Sequence, residues 1–254
     1  MVLDRLFRKR PAGPGASAPP GSRVYAIGDI HGRADLLRDL HARILADAAA
    51  HPAGRRVVVY LGDYVDRGLD SRGVIETVMG DALPGFERVT LKGNHEDLML
   101  RFLDDSGIAP SWFYNGGIAT LFSYGIASRG EDGEQRSGSA LQDELRRRLP
   151  AAHLDFLRNL ALTHREGDYL FVHAGIRPGV ALEKQAEEDL IWIREPFTAS
   201  RADFGFTVVH GHTIVPDVET TPSRVGIDTG AYFSGKLTCL VLEGTGRTFL
   251  QTGG

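Results

Sequence analysis

The sequence predicts an α/β fold in a single large domain, and three observations predict it. Short apolar runs rich in Val, Ile and Tyr alternate with stretches that repeat apolar residues at helical spacing, which is the rhythm of βαβ units. Five of the apolar runs end in glycine-flanked Asp, Asn or His, as expected where strands deliver ligand-binding loops to one sheet edge. The 254 residues are 42% hydrophobic and show no internal repeat, enough for one sizeable core.

The elements follow in order. Residues 1–22 stand apart: 1–10 carries Arg5, Arg8, Lys9 and Arg10 against Asp4, and 11–21 is rich in Pro, Gly, Ala and Ser. The first stretch reads as a solvated basic tail and the second as a flexible linker. Neither holds the apolar stretch of about 7–15 residues that a secretory signal needs. The folded domain is expected over 23–252. In it, 24–27 is a strand, and 34–50 is a helix whose Leu36, Leu37, Leu40, Ile44 and Leu45 recur at helical spacing. Strand 57–61 leads to a helix over 71–79, and strand 89–91 to a helix over 96–103. Residues 104–168 form a variable covering region with an aromatic, Gly-rich stretch, a polar patch over 128–139 and helices over 141–149 and 151–160. Strands follow over 169–172, 207–209, 224–227, 237–242 and 248–251. The repeated strand–helix order implies a largely parallel central sheet.

Composition excludes several function classes. A chain that is 24% charged, with formal net charge −4, is neither disordered nor collagenous and lacks the basic excess of a nucleic-acid binder. The lone Cys239 cannot form an internal disulfide, and its apolar strand makes it a structural thiol rather than a nucleophile. No run of about 18 apolar residues offers a membrane-spanning helix, so a cytoplasmic location is expected.

The chemistry lies at the strand ends. The apolar runs close on Gly28-Asp29-Ile30-His31-Gly32, Gly62-Asp63-Tyr64-Val65-Asp66-Arg67-Gly68, Gly93-Asn94-His95-Glu96, His173-Ala174-Gly175 and Gly211-His212-Thr213. Oxygen and imidazole donors without a thiolate suit Mn²⁺, Fe²⁺ or Zn²⁺ better than Ca²⁺ or Cu⁺. Six such ligands are too many for one catalytic ion, and they suit two ions about 3.5–4 Å apart sharing a carboxylate.

This set resembles the phosphoprotein phosphatase branch of the calcineurin-like metallophosphoesterases, with the nearest likeness to the small bacterial and bacteriophage-lambda-type protein phosphatases. Residues 227–238 are similar to that group's tail. The likeness runs over about 23–243, weakest across 104–168. It implies a four-layer αββα sandwich with a helical and aromatic insertion, and two divalent ions, Mn²⁺ first among the candidates. By the same resemblance, Asp29, His31 and Asp63 would hold the first ion, and Asp63, Asn94, His173 and His212 the second. Many other members end in Gly-His-x-His, but residue 214 here is Ile, as in the protein-phosphatase branch. His210 is read as a strand-end residue without a ligand role.

The implied reaction is in-line attack on phosphorus by a metal-bridging hydroxide. His95 would be the general acid, with Asp66 holding its other N–H. Arg67, Asn94 and Arg194 would bind the phosphate, although Arg194 also reads as a loop residue paired with Glu195. Trp112, Phe113, Tyr114, Phe122 and Tyr124 read first as the packing of the covering region and second as an aromatic wall beside the site. Asp97 is expected to support His31 or His95. The expected substrate is phosphoserine or phosphothreonine on proteins, with phosphotyrosine, phosphohistidine and small phosphoesters as further candidates. The alternative is a symmetrical dinucleoside-polyphosphate (diadenosine tetraphosphate) hydrolase, whose motifs overlap but more often read Asp where this chain has Glu96. An inactive binding module would not need the complete ligand set.

Overall fold

The computed structural model describes residues 15–131 and 133–253. The basic stretch 1–10 lies outside the described residues. The strands are β1 (Ser22–Ile27), β2 (Arg55–Tyr60), β3 (Glu87–Thr90), β4 (Thr163–Glu166), β5 (Tyr169–Val172), β6 (Thr207–His210), β7 (Glu219–Thr220), β8 (Arg224–Gly226), β9 (Thr238–Glu243) and β10 (Gly246–Gln251). The α-helices are α1 (Ala34–Ala50), α2 (Ser71–Met79), α3 (Asn94–Asp104), α4 (Ala109–Tyr114), α5 (Gly117–Ser123), α6 (Gly138–Arg148), α7 (Ala151–Arg158), α8 (Glu187–Trp192), α9 (Glu195–Thr198) and α10 (Ala231–Ser234).

The strands divide between two sheets rather than forming one largely parallel sheet. Their orders are β10-β9-β1-β2-β3 and β4-β5-β6-β8-β7. In the first sheet the parallel run β1-β2-β3 ends at the edge and continues on its other side into antiparallel β9 and β10, while in the second the parallel run β5-β6-β8 is flanked by antiparallel β4 and β7. Periodicity reveals that a strand is buried on both faces, but not what covers each face, so the central runs were compatible with one sheet or two.

Alternation of side chains along each strand builds the layers. Val24 and Ala26 of β1, Val57 and Val59 of β2, and Leu240 and Leu242 of β9 face the second sheet, meeting Tyr169, Phe171, Val209 and Val225. Their neighbours Tyr25, Ile27, Val58, Tyr60, Cys239 and Val241 face the other way, onto a helical layer that includes Leu37, Leu40 and Ile44 of α1 and Val74, Ile75 and Val78 of α2. Leu170, Val172 and Val208 turn outward from the second sheet to Leu190, Ile191 and Phe197 of α8 and α9. The four-layer αββα sandwich is therefore present, with the covering region α4–α7 continuing the first helical layer.

Three differences from the sequence reading have physical causes. β4 is polar (Thr-His-Arg-Glu) and carried no apolar signal; it forms by antiparallel pairing with β5 and is tied to the first sheet by Arg55, which binds Glu166 at 2.7 Å. On α1, Leu45 is exposed, and the buried stripe is Ala34, Leu37, Leu40, His41, Ile44 and Ala48. Within 11–21, where composition suggests a linker, Ala18 is buried, its N–H bonding the Gly244 carbonyl at 2.8 Å, while Ser17 N–H bonds Asp168 at 3.1 Å. Small residues there let the backbone lie flat against the strand ends. Among the described residues no helix is long and apolar enough to cross a membrane.

Candidate active site

The carboxyl ends of β1, β2, β5 and β6 and the first turn of α3 converge on Asp63. Its carboxylate lies 3.4 Å from His31 Nε2, 3.4 Å from His173 Nε2 and 3.8 Å from His95 Nε2. His212 closes the far side, its ring centroid 5.1 Å from that of His173. Asn94 Oδ1 is 3.0 Å from His173 Nε2. The predicted residues Asp29, His31, Asp63, Asn94, His95, His173 and His212 are thus brought together and all buried.

The backbone is strained where this happens. His31, Asp63, Asp66, Arg67 and His212 have φ of 47°, 52°, 73°, 66° and 60°, and they are the only non-glycine residues in the left-handed region among the described residues. Such conformations cost about 1–3 kcal/mol each and persist only where surrounding structure enforces them. Glu96 is one enforcer that the motif reading passed over. Its carboxylate accepts the N–H groups of Asp63 (2.9 Å), Tyr64 (2.8 Å), Val65 (3.2 Å) and Gly93 (2.9 Å), so the first turn of α3 grips the loop after β2. Burial and the Asp63 charge push its carboxyl up to about 7. Asp97, by contrast, binds Lys92 at 2.8 Å, away from both histidines it was expected to support.

Donor geometry and charge suit a divalent cation. His31 and His173 turn Nδ1 toward the Val65 and Leu61 carbonyls, both at 2.9 Å, which places the ring proton there and leaves Nε2 with the lone pair a ligand needs. Burial and the neighbouring His95 hold His31 well below the usual histidine range, and burial lowers His173 likewise. Burial opposes ionisation of Asp63, but the imidazoles of His173, His95 and His31 outweigh it and bring the carboxyl below its ordinary range. Two further buried atoms, Asp29 Oδ1 and His212 Nε2, have no hydrogen-bond partner. Orphaning such atoms costs about 1–3 kcal/mol apiece, a loss that ligation would remove. Two donor groups stand out, His31 with Asp63 and His95, and Asp63 with His173 and His212, the atoms of each lying within 4.8 Å of one another. Asp63 belongs to both, as a shared carboxylate should. Asp29 stands beside them, its Oδ2 accepting the His212 N–H at 2.9 Å. A Cβ at Gly211 would collide with Asp29 Oδ1, so glycine is required there. These residues fit a pair of divalent ions.

His95 stands apart from the other imidazoles. Its Nδ1–H donates to Asp66 at 2.7 Å. Burial disfavours its cation, yet Asp63 and the Asp66 hydrogen bond prevail, so its pKa lies above the usual histidine value. Arg67 donates to His31 Nε2 at 2.9 Å, and its guanidinium lies 4.9 Å from the Tyr232 ring centroid. Arg194 is exposed and donates to the His212 carbonyl at 3.1 Å, which puts it at the edge of the cluster. His210 stays outside, its ring edge against Phe197 at 5.0 Å.

Other contributors were missed in the sequence. Asp228, just beyond β8, is buried, accepts the Gly230 N–H at 2.9 Å and raises the pKa of Asp29 by its charge; burial pushes its own carboxyl up to about 6. Its place in the 227–238 tail was a signal, but no spacing linked it to Asp29. Trp112 and Thr120 reach Asp66 from α4 and α5. Of the five aromatic residues in that region, Trp112 and Tyr124 are buried, while Tyr114 and Phe122 are exposed.

A double-sheet α/β sandwich with a buried Asp–His–Asn cluster at its strand ends defines a metal-dependent phosphoesterase class of hydrolase. Residues 22–240 match the calcineurin-like phosphoesterase family, and the chain belongs to it. A symmetrical bis(5'-nucleosyl)-tetraphosphatase of Nitrosomonas europaea is 29% identical over 196 residues, covering 74% of this chain and 60% of the relative. The asymmetrical bis(5'-nucleosyl)-tetraphosphatase PrpE of Anoxybacillus flavithermus is 25% identical, covering 84% of this chain and 88% of its own. Serine/threonine-protein phosphatase 2 of Escherichia coli is 26% identical, covering 84% and 90%. Among solved structures, one described provisionally as a diadenosine tetraphosphatase superposes with a TM-score of 0.61 at 21% identity, covering 94% of this chain and 99% of the other. A cold-active protein-tyrosine phosphatase of a Shewanella species gives 0.53 at 17% identity, covering 93% and 83%. At these identities the structural likeness establishes the fold.

Proposed function

We propose that this chain hydrolyses phosphate monoesters at the Asp63 cluster, with phosphoserine and phosphothreonine residues of proteins as substrates. The observation that carries this reading is the His95–Asp66 pair, buried and bonded at 2.7 Å, beside the cluster. An alkoxide leaving from a serine or threonine phosphate needs a proton, and a positioned imidazolium supplies one. Cleavage of a dinucleoside tetraphosphate expels a nucleotide phosphate, a far weaker base that gains little from such an acid.

Asp29, His31 and Asp63 would hold one divalent ion, and Asp63, Asn94, His173 and His212 the other, Mn²⁺ being the first candidate and Fe²⁺ or Zn²⁺ the next. Bound there, the ions would supply Lewis-acid charge and lower the pKa of a water to near neutrality. The protein's own residues do the rest. Asp66 fixes the His95 ring and keeps its Nδ1 proton in place, so that the proton on Nε2 is the one delivered to the leaving oxygen. Arg67 presents a planar, two-pronged donor suited to phosphate oxygens. Arg194 adds a second positive group at the edge, and the Asn94 amide would donate to the same oxygens.

A second reading, cleavage of dinucleoside tetraphosphates, draws support from the names of the Nitrosomonas and Anoxybacillus relatives. With Mn²⁺ supplied, turnover of a phosphoserine peptide and of diadenosine tetraphosphate compared side by side tests the two. Higher kcat/KM on the peptide is expected; dominant cleavage of the dinucleotide overturns the first reading.

A further inference from the structure

We propose that Trp112 and Thr120, both contributed by the covering region, are positioning residues for the acid pair: their donors hold the Asp66 carboxylate, and through it the His95 ring. This rests on the reading of His95 as general acid.

Asp66 is completely buried and its backbone is left-handed at φ 73°, so its carboxylate needs protein donors to hold it in place. Four contacts do. His95 Nδ1 donates to Oδ2 at 2.7 Å, Trp112 Nε1 lies 3.0 Å from Oδ2 and 3.1 Å from Oδ1, and Thr120 Oγ1 donates to Oδ1 at 2.6 Å. The same Thr120 oxygen accepts the Asp66 N–H at 2.8 Å, so one hydroxyl holds both the backbone and the carboxylate of this residue. Ser71 Oγ, 3.0 Å from Thr120 Oγ1, also accepts that N–H at 3.1 Å.

The indole is itself located by apolar packing. Its ring lies 4.7 Å from Phe102 of α3, and Gly117 lies against it so closely that an added Cβ would stand 2.5 Å from Trp112 Cδ2. A tryptophan that only filled space could point its N–H at any carbonyl; this one points at the carboxylate that orients His95. The stretch of the chain that least resembles the family thus completes the acid pair.

Only reactions that need a proton on the leaving oxygen should register the loss of this support. The test compares a phosphoserine peptide with p-nitrophenyl phosphate, whose leaving phenolate is a weak base, on the whole chain with Mn²⁺. Trp112→Phe keeps the ring bulk and removes the donor; Thr120→Val removes the hydroxyl; Gly117→Ala leaves every donor in place but displaces the indole. Each should lower kcat on the peptide about tenfold, a fraction of the roughly 10²–10⁴ available to general acid catalysis, with KM and metal content held and p-nitrophenyl phosphate turnover down by no more than about threefold. Equal losses on both substrates, or a rise in KM with kcat preserved, would overturn the proposal. If Trp112→Phe fails to fold, Thr120→Val carries the same test alone. His95→Asn separates the two levels. Should it keep peptide turnover, the acid reading falls and takes this one with it. Should it lose turnover while the three variants keep theirs, only the positioning role is refuted.

Discussion

Asp63 is the residue on which the candidate site turns, because its carboxylate is the one group shared by both donor sets. Asp63→Asn keeps the shape and removes the charge, so bound metal and activity should vanish together; metal analysis of the purified variant beside its turnover checks this, and full metal content would contradict it. Arg67 acts differently. Arg67→Ala should raise KM and the inhibition constant for inorganic phosphate while leaving metal content intact, as expected for a group that clamps phosphate rather than ligates. Away from the site, His41 sets a pH dependence. Buried against Tyr60, whose hydroxyl lies 2.9 Å from Nε2, it is pushed down to about 4 by burial. Between about pH 6.5 and 4 the unfolded chain takes up a proton at this residue and the folded chain does not, so stability falls as pH drops through that window. The full effect is at most about 3 kcal/mol at pH 4. His41→Asn should flatten the fall of Tm between pH 6.5 and 4; identical slopes in both proteins would refute the assignment.

The elements show how strand ends and helix starts divide the labour. α1 and α2 span the ranges expected from the sequence, α2 beginning after Asp70, which accepts the Gly73 N–H at 2.9 Å. α3 starts two residues earlier than its apolar pattern suggests, at Asn94, because the Glu96 carboxylate reaches back to accept the Gly93 N–H at 2.9 Å. That shift puts Asn94 and His95 in the first helical turn, where their positions are rigid. β6 ends just before Gly211, whose missing side chain admits Asp29. Gly211→Ala should displace that carboxylate and raise the Mn²⁺ concentration for half-maximal activity by roughly 10–100-fold, the usual effect of disturbing a group that orients a metal ligand. An unchanged metal titration would show that Asp29 tolerates the methyl. β4 and the short helices α4 and α5 escaped the sequence pattern because their residues are selected by tertiary contacts: β4 by pairing with β5 and by Arg55, α4 and α5 by Phe102 and Asp66.

At the scale of the molecule, the layer between the sheets decides whether the strand ends meet. Phe171 is fully buried in it, among Val24, Val57 and Val209. Phe171→Ala should destabilise the fold by about 3–5 kcal/mol, read as a lower urea midpoint, since the cavity opens between two sheets that cannot close independently. The motifs by themselves determined the donor types of the cluster and the hydrolase family, because ligand type, glycine neighbours and strand-end position are local properties written in runs of three to seven residues. They also determined the main strands and helices, whose periodicity is local too. Which sheet each strand joins, and the gathering of Glu96, Asp228, Trp112 and Thr120 around the cluster, were decided by tertiary structure alone. Those contacts join residues far apart in the chain through buried hydrogen bonds, and no local spacing records which donor will meet which carboxylate.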